Sequence, residues 1–459
     1  MTKKKKSFIK NKALILALVA VFLVLSIVVQ QIFVHNEKLA LGLKEKNYLI
    51  LSKVVQKTLS YNERLTSWLK DREEAYQKDI FFIRAKRPLD KKILIVTFSL
   101  NDTGCPLMFL YLTQLLQQKG YHVSLLSHLG GRHEEDLKRD KIPYIISKEF
   151  FNGSEETEKL LSSFDIIISG RIPQMYFPSQ EDKFIWWDHG LLECVPPSSL
   201  TEEAIRKDRK LREVKFALSE AKDVVFVSEL QQKKLAKCRE FPSEVIHNGI
   251  KSTGMDMGAP IIRDMQWARK NGKKVFVIVG YIDRIKGQDI LVDAVKQLGK
   301  KYREKAVFFV IGSEQDKEYA LKIREKSKEM PEIVWVGPIE HEKIGGVYER
   351  GDVLLVPSRS DTAPLVVLEA AEHKMPSVIT ENVGSTYITE EGQSGFIIPI
   401  ENSRALAEKI KYFIDHEEKI KEFGEKSREN YEKYASFEVF LTNWENKINR
   451  KLKDLGCSK

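Results

Sequence analysis

The chain has 459 residues, 42% of them hydrophobic and 31% charged, which excludes a wholly disordered chain and leaves room for about two to four domains. Four widely spaced cysteines, Cys105, Cys194, Cys238 and Cys457, form no C-x-x-C pair, which argues against a disulfide scaffold or a cysteine zinc site. The formal net charge is +10, but residues 1–12 hold six lysines and no acid; 10 − 6 = +4 remains for the rest, too little for a basic nucleic-acid-binding face.

After this basic tail (1–12), Ala13 to Val34 carries no charge. As a helix it spans about 33 Å at ~1.5 Å per residue, the thickness of a bilayer core. It ends in Gln-Gln-Ile-Phe-Val-His rather than in a small-residue cleavage site, so a transmembrane helix is expected over 13–34 and not a signal peptide. Lys38, Lys44, Lys46 and Lys53 follow the run, and the six lysines before it favour a cytoplasmic N-terminus. Residues 35–88 contain no proline before Pro88 and place Leu51, Val55, Leu65 and Leu69 roughly in helical register. They predict a helical stalk, which pairs two chains, packs on the domain behind it or serves as a solvated spacer.

From Lys91 short apolar runs alternate with amphipathic stretches. The first set lies at 93–98, 122–127, 143–147, 165–168, 183–187, 223–227 and 244–247. These runs are β-rich and apolar on both faces, as buried parallel strands are. Residues 251–272, with three glycines and a proline, break the rhythm and suggest an interdomain linker. A second set follows at 275–280, 306–312, 333–336, 353–357, 377–380 and 396–399. The pattern predicts an α/β protein with two tandem Rossmann-like domains, 89–255 and 256–435, and a C-terminal helix over 436–459 that crosses back to the first domain.

In such sheets ligands bind beyond the C-terminal strand ends. GYIDRIKG (280–287) puts Lys286 at a glycine turn before a helix, where an ammonium can reach an anion. PSRSDTAPLVVLE (357–369) leads from a strand into a helix, with Asp361 or Thr362 as N-cap and Pro364 in the first turn. Glu369, eight residues after Asp361, stands where a carboxylate can accept hydrogen bonds from a ribose diol. GQSGF (392–396) by itself signals a turn. No histidines show metal-ligand spacing. The basic run Arg206–Lys215 is either a lipid-headgroup contact or a solvated helix face.

Together these segments resemble the retaining glycosyltransferases of the GT-B fold, in particular family 4, over roughly residues 91–445. The family's G-R-L-x-x-x-K-G turn, P-S-x-x-E-x7-E stretch and G-x-x-G-F turn correspond in order to GYIDRIKG, PSRSDTAPLVVLE and GQSGF. IVWVGPI (333–339) resembles the family's base-holding turn with Gly337 and Ile339. SLNDTG (99–104) resembles its first strand and loop, with Gly104 as the glycine that lets the donor approach. FIWWDHG (184–190) resembles the strand that ends in a histidine, here His189. FVSE (226–229), VIHNGI (245–250) and ASFEVFLTNWENKI (435–448) resemble further family stretches.

The resemblance implies that Lys286 neutralises the donor diphosphate and that Gly280 and Arg284 lie at the same turn. It gives phosphate and sugar to the backbone N–H groups of Thr362, Ala363, Pro364, Leu365 and the next residue, with proline supplying none. Asp361 would bind sugar hydroxyls, Glu369 the ribose diol, and His189 the donor sugar. His189, Lys286 and Asp361 would be catalytic. No metal and no cofactor are implied beyond the nucleotide-diphosphate sugar as co-substrate. The sequence departs from the family pattern at Tyr281, which replaces the usual arginine and leaves Arg284 as a substitute, and at Asp361, which replaces glutamate.

The expected function is membrane-anchored transfer of a sugar, with retention, to a cell-envelope glycan or lipid-linked acceptor. The expected partners are donor, acceptor, membrane lipid and a second copy through the stalk, with no nucleic acid. The catalytic domain is expected on the cytoplasmic face, where nucleotide-sugars are made, against the charge rule. Tyr281 favours the rival reading, a GT-B-like binding protein without turnover. A dinucleotide oxidoreductase is disfavoured, since neither first strand-to-helix turn carries G-x-G-x-x-G.

Overall fold

The computed structural model describes residues 91–101, 103–147, 155–170, 178–190, 222–237, 242–252 and 260–456. Among the described residues, thirteen strands form two sheets. The first holds β1 Lys92–Ser99, β2 His122–Leu129, β3 Tyr144–Ile146, β4 Ile166–Ser169, β5 Phe184–Asp188, β6 Val224–Phe226 and β7 Ser243–Val245. Its order is β3-β2-β1-β4-β5-β6-β7, and every neighbouring pair is parallel. The second holds β8 Lys274–Val279, β9 Ala306–Ile311, β10 Ile333–Gly337, β11 Val353–Val356, β12 Ser377–Thr380 and β13 Gly395–Ile398. Its order is β10-β9-β8-β11-β12-β13, again all parallel. Each apolar run of the sequence is a strand, within two residues at either end. The reason is burial on both faces: every residue of β4, β5 and β9 is buried, which favours β-branched, aromatic and other apolar side chains, with Ser169 and Asp188 the polar exceptions at two strand ends.

Helices cover the sheets. In the first half they are α1 Gly104–Gln118, α2 Glu134–Arg139, α3 Glu155–Ser162 and α4 Glu229–Ala236. Next is α5 Pro260–Lys270, which lies inside the stretch that the sequence suggested as linker. Pro260 suits a first helical position, and Ile261, Ile262, Met265 and Ala268 bury one face. In the second half come α6 Gln288–Gln297, α7 Lys300–Arg303, α8 Lys317–Lys326, α9 Gly345–Arg350, α10 Leu365–Glu372, α11 Ser403–Asp415 and α12 Glu417–Tyr434. The last helix, α13 Phe437–Asp454, packs on the first half of the chain. Trp444 meets Trp187 edge-on at 4.7 Å between ring centroids, and Lys451 and Arg450 pair with Asp223 and Glu244 at 2.9 and 2.6 Å. Residues 87–459 form one compact unit that holds both sheets.

One expectation is corrected. Among the described residues no helix is long and apolar enough to cross a membrane. Membrane localisation, with a catalytic domain on its cytoplasmic face, is therefore withdrawn. The apolar run 13–34, the stalk 35–88 with its pairing of two copies, and the basic run 206–215 all lie outside the described residues.

Candidate active site

The second sheet reverses its strand order between β8 and β11, and this makes the site. β8 continues outward to β9 and β10, β11 to β12 and β13, so a crevice opens where their C-terminal ends part. The loop after β8 carries Lys286 and the loop after β11 carries Asp361. The two residues, 75 apart in sequence, form an ion pair of 2.5 Å. A cleft of about 650 Å³ opens over them, a usual size for a small-molecule site. Its other wall comes from the first half of the chain: Gly104 at the start of α1, His189 after β5, and Asn248 after β7.

Most of the predicted residues line this cleft: Gly104, His189, Gly280, Lys286, Ile339, Asp361, Thr362, Ala363, Pro364, Leu365 and Glu369. Two do not. Gly337, in a left-handed conformation at φ +86°, uses its carbonyl to accept a bond from the Gly312 N–H at 2.9 Å. Arg284 is exposed, and it is its carbonyl that is engaged, accepting from Arg359 Nη1 at 2.6 Å. The substitute for the missing arginine is therefore not Arg284. Among the described residues that line the cleft, Lys286 is the only lysine or arginine.

Arg359 was not singled out in the sequence, yet it holds the two loops together. Its guanidinium grips Asp289 through two bonds of 3.0 and 2.9 Å, and its backbone N–H donates to the Ile285 carbonyl at 2.7 Å. Burial alone would raise the Asp289 carboxyl, but the Arg359 fork and the Tyr319 hydroxyl outweigh it and hold it below the usual range. The backbone of Asp361 is clamped from the other side. Its N–H donates to the Asn382 carbonyl at 3.1 Å, and its carbonyl accepts from the Gly384 N–H at 2.9 Å. A side chain at Gly384 would put Cβ 1.8 Å from the Thr362 carbonyl oxygen, so only glycine lets the turn after β12 lie against the site loop.

The N-cap of α10 is Pro364, not Asp361 or Thr362, and no side chain caps the helix. Asp361 is taken by Lys286. Thr362 Oγ1 donates across the cleft to the His189 carbonyl at 3.0 Å, and Lys234 reaches Asn382 at 2.8 Å. The uncapped first turn of α10, Leu365 and Val366, faces the cleft, where the helix dipole favours negative charge.

Glu369 lies in the second turn of α10 and is 3% exposed. Its Oε2 accepts from the Tyr348 hydroxyl at 2.6 Å, and its Oε1 is bonded to His341 Nε2 at 3.0 Å. Burial and the adjacent carboxylate push the Tyr348 hydroxyl well above its usual range, so it stays protonated and donates. Neither Tyr348 nor His341 was singled out in the sequence.

The His189 ring packs against Trp187 and Phe109, at 4.5 and 5.3 Å between centroids. Burial pushes its imidazole down to about 3, so at neutral pH it is an uncharged hydrogen-bonding group. Its Nε2 is buried and has no hydrogen-bond partner among the described residues; the same is true of Asn248 Oδ1, another residue the sequence reading missed. Both residues line the cleft. Gln231 on α4 aims the histidine. Its amide bonds to the Asp188 carbonyl at 3.3 Å and to the Gly190 carbonyl, and it accepts from the Val227 N–H at 3.0 Å. Gln231→Ala removes these bonds from a largely buried cluster. We expect a loss of about 1–3 kcal/mol in chemical denaturation together with weaker turnover; unchanged stability would remove Gln231 from this role.

Residues 263–430, which contain Lys286, Asp361 and Glu369, match the family model described as glycosyl transferases group 1. This part of the chain, which holds the second sheet, is similar to that family's domain. A Haemophilus influenzae protein described as an uncharacterized glycosyltransferase is 23% identical over 345 residues, 72% of this chain and 91% of its own length. Sulfoquinovosyl transferase SQD2 of Arabidopsis thaliana is 27% identical over 175 residues, 38% of this chain and 33% of that enzyme. The chain thus spans a third of the Arabidopsis relative and nearly all of the bacterial one. Anabaena HepE, solved with UDP and glucose, aligns at a TM-score of 0.63 and 16% identity, over 78% of this chain and 100% of that one. That likeness shows the fold, GT-B, with the matched residues 263–430 in its second half.

Proposed function

We propose that the chain transfers a sugar from a nucleotide-diphosphate sugar to a glycan acceptor, with retention of anomeric configuration. The observation that carries the reading is the meeting of Lys286, the first turn of α10 and buried Glu369 in one cleft at the strand-order reversal of the second sheet. A diphosphate needs a cation and free N–H groups, and a ribose diol needs a buried carboxylate; the three stand on adjoining loops. The sugar then lies toward Asp361, His189 and Asn248.

The chemical step needs charge to be stabilised on the leaving diphosphate. When the phosphate takes Lys286, it breaks the 2.5 Å pair with Asp361 and frees that carboxylate for sugar hydroxyls. Both carboxylates that line the cleft then have binding duties, one to sugar and one to ribose. That division supports a retaining course, with no further carboxylate among the described cleft residues to act as a base. The bond from anomeric carbon to diphosphate oxygen breaks, the acceptor oxygen bonds on the same face, and its proton passes to the departing phosphate. Lys286 is the only lysine or arginine among the described cleft residues, with Tyr281 in place of the usual arginine, and this favours the second reading of binding with little turnover.

The test is calorimetric titration of the full chain with UDP, ADP, GDP and their sugar conjugates. One nucleotide is expected to bind in the micromolar range and to lose that binding in Glu369→Ala. No binding of any nucleotide by folded protein would sink the reading. Binding without sugar transfer would favour the second one.

A further inference from the structure

We propose that His341 competes with the donor's ribose for Glu369, and so sets how tightly the cleft holds a nucleotide. The inference rests on the reading that Glu369 receives the ribose diol.

A carboxylate buried this deeply must keep hydrogen-bond partners in the empty state as in the filled one. Glu369 has one on each oxygen, Tyr348 on Oε2 and His341 on Oε1. The two partners differ in freedom. Tyr348 is 1% exposed and held on α9 inside the core. His341 opens a short 3-10 turn, His341–Lys343, two residues after Ile339; its side chain is 30% exposed and lines the cleft. The His341 side chain borders solvent, whereas the Tyr348 ring is enclosed. Tyr348 is therefore the permanent orienting group, and His341, which lines the cleft beside Glu369, holds Oε1 while no ligand is there.

Ribose binding then becomes an exchange. The Nε2···Oε1 bond of 3.0 Å breaks, and a ribose O–H donates to Oε1 in its place. The number of hydrogen bonds on the carboxylate stays constant, so the ribose contact is worth less than its own bond by the worth of the His341 bond. A net hydrogen bond of ordinary strength corresponds to about a 3- to 10-fold effect on affinity. The exchange touches only ligands that carry ribose hydroxyls. Inorganic pyrophosphate, which needs Lys286 and α10 alone, is indifferent to it.

The experiment is calorimetry on the full chain, wild type against His341→Ala and His341→Gln. The probes are UDP, ADP and GDP, their 2′,3′-dideoxy counterparts, and inorganic pyrophosphate. For the ribonucleotide that binds, His341→Ala is expected to tighten Kd by about 3- to 10-fold. The dideoxynucleotide and pyrophosphate are expected to change by less than about twofold. His341→Gln keeps a donor at the same place and is expected to fall near wild type; it also serves if the alanine variant does not fold. An unchanged or weaker Kd for the ribonucleotide in His341→Ala would overturn the proposal, as would equal tightening of the dideoxy probe. Those outcomes leave the donor reading standing. Failure of the wild type to bind any nucleotide defeats the donor reading itself and the exchange with it.

Discussion

Lys286→Ala is expected to lower kcat by about 10²–10³-fold, the usual cost of removing one positioned charge-stabilising group. The size follows from the composition of the cleft. Lys286 is the only lysine or arginine among the described residues that line it, since Arg284 is exposed and Tyr281 stands where the family resemblance expects arginine. No other lysine or arginine among the described cleft residues is there to take over the leaving diphosphate. Arg359 is close in sequence to Asp361, but it is committed to Asp289 and to backbone carbonyls. The variant also leaves Asp361 without its 2.5 Å partner, which adds repulsion against a diphosphate. Steady-state kinetics with the donor found by titration checks this. A loss below tenfold would mean that the helix end alone carries the charge. Lys286→Arg distinguishes charge from shape: a guanidinium keeps the charge but not the compact ammonium, so partial recovery is expected.

Gly287→Ala is expected to damage both stability and binding. Gly287 stands at φ +73°, where a side chain costs about 1–2 kcal/mol, and its added Cβ would lie 2.2 Å from the Pro357 carbonyl oxygen. Relieving that clash adds about 1–3 kcal/mol of overpacking and moves the end of β11 away from the Lys286 turn. Two loops of the site are thereby displaced together. Thermal melting is expected to show a Tm drop of several degrees, and titration a weaker nucleotide Kd. A variant with wild-type Tm and Kd would show that the turn adapts, and the close approach of Gly287 to Pro357 would then have no functional weight.

The strands were legible because burial on both faces leaves a local mark, a short apolar run between turn signals. Lys286, Asp361 and Glu369 were legible as positions, since each lies at a strand end or in a helix start that composition announces. Their partners were not. His341 and Tyr348 are 28 and 21 residues from Glu369, and Arg359 is 70 from Asp289. No local pattern links such pairs. Arg284 illustrates the converse: two residues from Lys286, it was the natural substitute for the missing arginine, yet the turn sends its side chain outward. The capping role of Asp361 was also a local inference, and the ion pair to Lys286 overrode it, because β8 and β11 are neighbours and bring the two loops within reach. The helix Pro260–Lys270 had its signal in Pro260 and in the spacing of Ile261, Met265 and Ala268, but nearby glycines obscured it.

The sequence by itself determined the two α/β halves, the order of their strands along the chain and the loops that carry chemistry, because these depend on short-range periodicity and turn residues. The tertiary structure alone decided which loops meet. The strand order of the second sheet puts the end of β8 beside the end of β11, and so makes one site of Lys286 and Asp361. Packing of the first half against it adds His189 and Asn248. Burial then assigns each charge its partner, since a carboxylate removed from water must be paired, and which group pairs with it is settled by distance in space rather than along the chain.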